Sequence, residues 1–404
     1  MLDLYDAINQ LLAAAQPVQD TEQVDLKSAA GRICAVDIHS PVNVPAFDQS
    51  AMDGYALSTL APGDTLLPLH GRIAAGQSGS QLPPDSAARI FTGAPVPEGT
   101  LAVVMQEDTE SHSDGVRVLK SPRPGQHIRR KGEDIASGST ILSRGTRLTA
   151  AHIGLLASVG IPQISVFRKL KVALLSTGDE LVEPGEATHE ASVFNTNRYS
   201  LHALLTQMGV EVSDLDNIPD NADATRAALS AAASAYDLII SSGGVSVGEE
   251  DHVKAAIDAL GELHLWKIAM KPGKPLAFGR VAATPFIGLP GNPVSAFVTC
   301  LLCAAPYIRL YQGQSHAQPQ PLKVIADFDW LKADKRREFL RAQLALDDSG
   351  HVQARIHGNQ GSAAMVALAW GDGLIEVPPS TPIRRGENVT FWSTQSLLNG
   401  GTRI

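Results

Sequence analysis

The sequence predicts a multidomain fold, α/β plus β. It comprises a β-rich N-terminal region of two subdomains, a doubly wound parallel-sheet α/β domain, and a small C-terminal β domain. Three observations predict it. Short apolar runs between Gly/Pro turns fill residues 22–168, as in β structure with long connections. Strands then alternate with helices over 171–313, which indicates a parallel sheet covered on both faces. Short strands return after a polar, proline-containing segment at 313–321.

The N-terminal residues predict an amphipathic helix over 3–15, in which apolar residues such as Leu4 and Ile8 recur at helical spacing. A second short helix is predicted where Thr149 can start it and Gly160 can stop it. The predicted division is an N-terminal helix packing on the other domains (1–21), an elongated linking subdomain (22–44 and 138–168), a β-rich subdomain (45–137), the α/β domain (169–314) and the C-terminal β domain (315–404).

The α/β and C-terminal domains supply most of the predicted regular elements. Strands of the α/β domain are predicted at 171–175, 210–218, 237–240 and 264–268, with two short strands flanking Arg280. Its helices are predicted at 197–208, from 220 or 221 to 235, at 251–260, and from 292 to just before Gly313. Strands of the C-terminal domain are predicted near 322–328, 338–345, 351–356, 374–377 and 388–392.

Composition excludes several functional classes. The 404 residues carry a formal net charge of −9, which excludes a generally basic nucleic-acid coat. Three cysteines cannot form a disulfide framework, and the C-x-x-C pair Cys300 and Cys303 falls in a stretch typical of a buried helix rather than a redox or zinc site. The N-terminus lacks a basic signal-peptide region, and the longest apolar run, 293–308, is too short for a membrane span. We therefore expect a cytoplasmic protein without nucleic-acid or membrane partners.

Charged residues follow the predicted strands of the α/β domain. In a doubly wound sheet, ligands bind outside the carboxyl ends of the strands. Carboxylates converging there cost free energy unless a cation neutralises them, and oxygen ligands favour Mg²⁺ over zinc. The four loops leaving these ends carry Asp179 and Glu180; Asp220; the glycine-rich GGVSVG with Asp251 behind it; and Lys271 with Lys274.

The same edge also offers groups that bind anions. Gly243 and Gly244 let backbone N–H groups approach an anion, and the lysines suit phosphate or another oxyanion. A plainer interpretation exists, because Asp220 and Asp251 both stand at helix starts, where Asp is a common N-cap. Their combination at one edge favours a site for an anion and a metal ion.

Two polar segments mark the N-terminal half. PAFDQSAMDGYA, at 45–56, mixes polar and aromatic residues in a turn. RRKGED, at 129–134, packs three cations beside two anions, which also fits a solvated run of surface charge.

Segments that carry a family resemblance run through most of the chain. The segments are PAFDQSAMDGYA (45–56), TGAPVPEG (92–99), VVMQED (103–108), RRKGED (129–134), STGDEL (176–181), SSGGVSVGEED (241–251), KPGKPLAFG (271–279), GLPGNPVSA (288–296) and GNQGS (358–362). Together they resemble the molybdopterin molybdenumtransferases, the family that includes bacterial MoeA and the C-terminal domain of gephyrin. STGDEL and GGVSVG also resemble the smaller molybdopterin adenylyltransferases, whereas AMDGYA and KPGKP point to the former family.

The resemblance implies a four-part elongated fold, a homodimer, and a site in the α/β domain completed by the neighbouring subunit. The converging carboxylates at this site predict Mg²⁺ as cofactor. Carried over position by position, the resemblance implies catalytic roles for Asp53, Thr92, Asp134, Lys267 and Lys271; cofactor binding by Gly243, Gly244, Ser246, Lys274, Pro290, Pro293, Arg341 and Ser362; and metal binding by Glu180, Asp220 and Asp251.

Two positions depart from the family pattern. Asn195 stands where many members have Asp, and Asn359 stands where many have His. One carboxylate and one His contact are therefore missing. These changes leave open a paralogue with an altered preference for the metal or the oxyanion.

The family resemblance implies an enzyme of molybdenum cofactor biosynthesis. Its substrates would be molybdate and adenylylated molybdopterin, with insertion of molybdate and release of AMP in an Mg²⁺-dependent reaction. Transient contact with the adenylyltransferase and other cofactor-biosynthesis proteins would follow. Two alternatives remain open: an enzyme like the molybdopterin adenylyltransferases, and a non-enzymatic scaffold paralogue. The extra N-terminal region disfavours the first, and the intact set of charged motif residues disfavours the second.

Overall fold

The structure is a computed structural model. It describes residues 1–77, 79–218, 221–244, 252–315 and 318–400. The predicted site residues Asp220, Ser246 and Asp251 lie outside these ranges.

The predicted N-terminal helix forms as α1 (Leu4–Ala14). Asp3 caps it, because its side chain accepts a hydrogen bond from Tyr5 N at 2.8 Å. Leu4 and Leu11 are buried on the face that packs against the α/β domain.

The region after α1 consists of short strands joined by turns, as predicted, and its described residues also form two short α-helices and a 3₁₀ turn at Gln106–Asp108. Its elements are β1 (Thr21–Asp25), α2 (Leu26–Ala29), β2 (Ile38–His39), β3 (Gln49–Ser50), β4 (Gly54–Leu57), β5 (Thr65–Leu67), β6 (Leu69–Ile73), β7 (Ala87–Ile90), β8 (Ala102–Met105), β9 (Thr109–His112), β10 (Gly115–Val118), β11 (Ile128–Arg129), β12 (Thr140–Leu142), α3 (Ala150–Ser158) and β13 (Gln163–Phe167).

Strand pairing brings the two ends of this region together. β1 pairs with β13 and β2 pairs with β12, both antiparallel. Between them, β4, β6, β7 and β8 form a four-stranded sheet, and β5, β9 and β10 form a three-stranded one. The short helix α3 is confirmed: Thr149 caps it in a capping box with His152, and Gly160 follows with φ +77°.

The α/β domain forms where the strand–helix alternation predicts it. Its elements are β14 (Lys171–Thr177), β15 (Leu181–Val182), β16 (Val193–Phe194), α4 (Thr196–Gln207), β17 (Glu211–Ile218), α5 (Ala222–Ala235), β18 (Leu238–Ser242), α6 (His252–Leu260), β19 (Gly261–Lys267), β20 (Met270–Lys271), β21 (Pro275–Val281), β22 (Thr284–Leu289), α7 (Pro293–Thr299) and α8 (Ala305–Tyr311).

The central sheet has the strand order β17-β14-β18-β22-β21-β19, and it is mixed rather than wholly parallel. β14, β17, β18 and β22 are parallel, but β21 runs antiparallel to both neighbours. Only residues 282 and 283 join β21 to β22, and a parallel pair needs a much longer crossover. Because β19 and β22 both run antiparallel to β21, they are parallel to each other. The carboxyl end of β19 therefore lies at the same edge of the sheet as the carboxyl ends of β14, β17, β18 and β22.

Helices cover both faces of this sheet, as predicted. α1, α4, α7 and α8 contribute to the apolar cluster on one face, and α5 and α6 contribute to the cluster on the other. The carboxyl edge is left open between these two layers. That edge is where the candidate site lies.

One long helix, Pro293–Tyr311, runs through α7, a π-helical turn at Cys300–Ala304, and α8. The expectation that this apolar run is too short for a membrane span is wrong: among the described residues this helix alone is long and apolar enough to span a membrane. Most of it is buried inside the fold. Burial raises the pKa of the Cys300 and Cys303 thiols to about 12. The prediction that this pair belongs to a buried helix is confirmed.

The described part of the C-terminal domain contains all five predicted strands and two helices that were not predicted. The elements are β23 (Leu322–Ala326), β24 (Arg337–Leu346), β25 (Val352–Ile356), α9 (Met365–Trp370), β26 (Gly373–Val377), β27 (Asn388–Ser393) and α10 (Thr394–Asn399). The sheet order is β20-β24-β25-β23-β27-β26, and an added pairing of β24 with β26 closes it on itself. The first strand in this order, β20, belongs by sequence to the α/β domain.

Candidate functional site

A cleft of about 1220 Å³ opens at the carboxyl edge of the central sheet, where the C-terminal domain faces it. Loops that follow β14, β18, β19 and β22 form one wall, and residues 360–363 of the C-terminal domain form another. Of the predicted site residues, the structure brings eight to this cleft: Glu180, Gly243, Gly244, Lys271, Lys274, Pro290, Pro293 and Ser362.

The glycine-rich loop requires glycine at two positions. Gly243 and Gly244 have φ +88° and +63°, a region that other residues rarely adopt. A Cβ at Gly244 would lie 2.6 Å from Val253 Cγ2, so the backbone approaches α6 closely. Gly243 N already donates to Leu289 O at 3.1 Å, which ties this loop to β22. That N–H group is therefore not available to an anion.

The turn after β22 meets the C-terminal domain directly. Pro293 starts α7, where proline is favoured because the first helical N–H needs no partner within the helix. Val294 N, in the same turn, donates to Ser362 O at 3.0 Å. Ser362 is thereby fixed at the rim of the cleft by its own main chain.

Asn195 and Asn197 hold the cleft wall together. Asn195 caps α4 by accepting from Arg198 N at 3.2 Å, and it donates to Glu183 Oε1 at 3.2 Å. Asn197 Nδ2 donates to Ser242 Oγ and to Gly291 O, both at 2.6 Å. Asn197 was missed from the sequence, where the only signal was a polar residue at a predicted helix start.

The two lysines of KPGKP have different surroundings. Lys271 Nζ lies 2.9 Å from Oε1 of Glu338, a buried carboxylate of the C-terminal domain. Lys274 is exposed in the cleft, and in the described parts of the chain no carboxylate lies within ion-pair distance of it. Between them, Gly273 has φ +106°, and a Cβ there would overlap Thr299 Oγ1. The turn thus requires glycine as well.

Two predicted basic residues lie elsewhere. Lys267 is exposed at the end of β19 and does not line the cleft; its carbonyl accepts from Leu2 N at 2.9 Å. Arg341 is buried behind the rim, where its guanidinium donates to Phe339 O and Gly361 O, both at 3.2 Å. Burial lowers the pKa of Arg341 to about 10. Its geometry braces the loop that carries Ser362 rather than facing a ligand.

Arg336 lines the cleft and was not predicted. Its guanidinium binds Asp334 through two bonds, Nε to Oδ1 at 3.1 Å and Nη2 to Oδ2 at 2.8 Å. These donations hold the pKa of Asp334 well below its usual range.

Glu180 is the single carboxylate among the described residues that line the cleft. It folds back over Gly178, where a Cβ would lie 2.5 Å from Glu180 Oε2. Within the described residues, no group of three or more His, Cys, Asp or Glu side chains is placed to hold a metal ion. Asp220 and Asp251, the other predicted ligands, lie outside those residues. Asn221 caps α5, accepting from Ala224 N at 2.8 Å.

The predicted residues of the N-terminal region do not line this cleft in the same chain. Asp53 Oδ1 accepts from Thr92 N and Thr92 Oγ1, both at 2.8 Å, and these bonds lower the pKa of Asp53. Asp134 is exposed in the RRKGED turn, and its N–H donates to Val44 O at 3.0 Å. Asp53 and Thr92 therefore form one local unit on the β-rich region.

The RRKGED turn is more than a solvated charge run. Asp48 accepts from Arg130 Nη1 at 2.6 Å and from Lys131 N at 2.8 Å. The turn is thereby fixed against the PAFDQSAMDGYA segment.

Three family models match successive parts of the chain. They are described as the MoeA N-terminal region (domains I and II) over 2–160, a probable molybdopterin-binding domain over 173–310, and the MoeA C-terminal region (domain IV) over 323–393. A molybdopterin molybdenumtransferase of Haemophilus influenzae is 42% identical over 98% of this chain and 100% of its own length. The chain belongs to the molybdopterin molybdenumtransferase family.

Other relatives agree with this assignment. A Nostoc molybdopterin molybdenumtransferase is 36% identical over 96% of this chain and 92% of its own length. A crystal structure of the molybdopterin biosynthesis MoeA protein from Pyrococcus horikoshii matches with a TM-score of 0.83 and 27% identity, covering 97% of this chain and 99% of that one. The predictions of this family, of its fold and of an enzyme of molybdenum cofactor biosynthesis are confirmed.

Proposed function

We propose that this enzyme inserts molybdate into adenylylated molybdopterin and releases AMP, in a reaction that depends on Mg²⁺. The observation that carries the proposal is the charge of the cleft. Its described lining holds three cations, Lys271, Lys274 and Arg336, and one carboxylate, Glu180, in a protein of net charge −9. Both substrates are anions, and a cationic cleft with low-dielectric walls concentrates them.

Lys274 is the cation best placed to meet an oxyanion. Lys271 and Arg336 already face carboxylates of the C-terminal domain, whereas Lys274 has no such partner within the described residues. An ammonium group acts as a compact point charge with three donors, which suits a tetrahedral dianion. The Ser362 hydroxyl, on the wall formed by the C-terminal domain, supports the same proposal as a neutral donor.

The donor chemistry of the cleft fits Mg²⁺. Neither His nor Cys occurs in the described lining, and its metal-binding atoms are the oxygens of Glu180 and of hydroxyl and amide side chains. Glu180 would hold the ion together with Asp220 and Asp251, as the family resemblance implies. When bound, the ion would polarise the pyrophosphate of the substrate. The chain's own lysines bind and orient the anionic groups around it.

The distant unit of Asp53 and Thr92 supports a homodimer. These residues and Asp134 lie outside the cleft of their own chain, so a role in the reaction requires a neighbouring subunit. We place the reaction in the cytoplasm, without nucleic-acid or membrane partners and with transient contact to the adenylyltransferase and other cofactor-biosynthesis proteins.

The test is an assay of the purified protein with adenylylated molybdopterin, molybdate and Mg²⁺, following AMP by chromatography. We expect AMP release that requires both molybdate and Mg²⁺. Adenylylation of molybdopterin from ATP would instead indicate the adenylyltransferase-like alternative. Absence of turnover with either substrate set would favour a scaffold.

A further inference from the structure

We propose that Glu338 is a positioning residue for the reaction, holding Lys271 in place from within the C-terminal domain. This inference rests on the proposed function, because it assigns a task to a lysine of that cleft. Lys271 lies on β20, a strand that pairs with β24 and so joins the C-terminal sheet. In that register Lys271 and Glu338 are direct partners. Lys271 therefore belongs to the α/β domain by its position in the sequence, but its strand is part of the C-terminal sheet.

The ion pair is built around a buried carboxylate. Glu338 is 1% exposed, whereas the Lys271 side chain is 45% exposed and reaches the cleft. Glu338 Oε1 lies 2.9 Å from Lys271 Nζ, and Glu338 Oε2 accepts from Trp330 Nε1 and Asp334 N, both at 2.9 Å. Both oxygens are thus occupied by donors, as a buried carboxylate requires. The fixed partner is Glu338, and the group whose position it sets is the Lys271 ammonium.

Asp334 is a weaker candidate for the same task. Its Oδ2 lies 3.7 Å from Lys271 Nζ, beyond hydrogen-bond distance, and both of its oxygens already accept from Arg336. Glu338 is therefore the residue that decides where Lys271 points.

Glu338→Gln isolates this contact. A glutamine oxygen can replace Oε2 and keep the hydrogen bonds from Trp330 and Asp334. The glutamine N–H₂ then faces the Lys271 ammonium, and because both groups are donors no hydrogen bond forms between them. The fold keeps its bonds and the lysine loses its acceptor. Because a displacement of about 1 Å can cost about a hundredfold in rate, we expect kcat/KM for AMP release to fall about 10- to 100-fold.

A double-mutant cycle distinguishes positioning from a general structural role. If Glu338 acts through Lys271, Glu338→Gln lowers activity in the wild-type background and adds no further loss to Lys271→Ala. An equal loss in both backgrounds would overturn the proposal. Asp327→Asn is the matched control: Asp327 pairs with Arg355 and Arg385 in the same domain and does not line the cleft. We expect it to leave activity unchanged.

A second readout does not depend on the reaction. Trace acetylation followed by mass spectrometry measures the reactivity of Lys271, with Lys274 as internal reference. Glu338→Gln should raise the reactivity of Lys271 severalfold relative to Lys274, because the ion pair no longer shields it. An unchanged ratio would overturn the positioning. Absence of AMP release from the wild type would overturn the proposed function alone, since the labelling still tests the ion pair. Should Glu338→Gln lower the melting temperature strongly, Trp330→Phe loosens the same carboxylate and should shift the labelling ratio in the same direction.

Discussion

Replacing Gly244 by alanine tests the close approach that shapes the glycine-rich loop. Two costs follow from its geometry. At φ +63° an alanine pays about 1–2 kcal/mol of backbone strain. Its Cβ would also lie 2.6 Å from Val253 Cγ2 and 2.9 Å from Thr177 Oγ1, and such overpacking costs about 1–3 kcal/mol. Because Val253 is 3% exposed and packed in an apolar cluster, we expect both costs, about 2–5 kcal/mol of unfolding free energy in all.

A control separates the two costs. Gly76 is exposed, has φ +81°, and a Cβ there would meet nothing within 4 Å among the described residues. Gly76→Ala should therefore cost only the backbone strain, about 1–2 kcal/mol. Urea denaturation of the two variants and the wild type measures the difference.

A compensating substitution tests the overlap itself. Val253→Ala removes the Cγ2 that the new methyl would strike. In the Gly244→Ala background it should restore about 1–3 kcal/mol relative to the sum of the two single changes. The predicted overlap is absent if Gly244→Ala is no more destabilising than Gly76→Ala, or if the effects of Gly244→Ala and Val253→Ala are simply additive.

Three further predictions concern the site and the fold. Lys274→Ala should raise the half-saturating molybdate concentration about tenfold or more, with Mg²⁺ dependence intact, because it removes one charge-assisted contact; an unchanged molybdate titration would exclude this turn from the oxyanion site. Mixing inactive Asp53→Ala and Asp251→Ala proteins should restore part of the AMP release through mixed dimers, whereas a fully active monomer by light scattering would contradict the shared site. The pKa of Asp237 is lowered despite its burial because it accepts from Arg168 and from Lys171 N. The ionised Asp237 carboxylate should contribute to the free energy of unfolding above pH about 4, and this contribution should be lost as pH falls through the folded pKa. In Asp237→Asn the free energy of unfolding should therefore depend less on pH in the acid range, as measured by circular dichroism.

The sequence predicted most of the elements because their signals are local. Apolar runs that end before glycine placed β14 and β18, and the capping pair Thr149 and Gly160 bounded α3. The direction of β21 was harder to predict, because it depends on the two-residue turn that follows it. α9 was missed because its N-cap position is Ala364, which makes no side-chain capping bond and so gives no start signal.

The site was only partly predictable, for a different reason. Gly243, Lys271 and Ser362 belong to recognisable motifs, and the structure brings them to one cleft. Glu338, however, lies 67 positions from Lys271, and only strand pairing between the domains makes them neighbours. Arg341 shows the converse case, because a motif position does not tell whether a side chain faces the ligand or braces the loop behind it.

The most direct test of the account is the ratio of molybdenum transferred to AMP released in a single incubation. Molybdenum bound to the pterin product is measured by mass spectrometry after separation from free molybdate, and AMP is measured by chromatography. If insertion and cleavage are one reaction at this cleft, wild-type protein gives equal amounts of the two products, and Lys274→Ala lowers both together. AMP release that continues without molybdenum transfer, or that is insensitive to Lys274→Ala, would contradict the account.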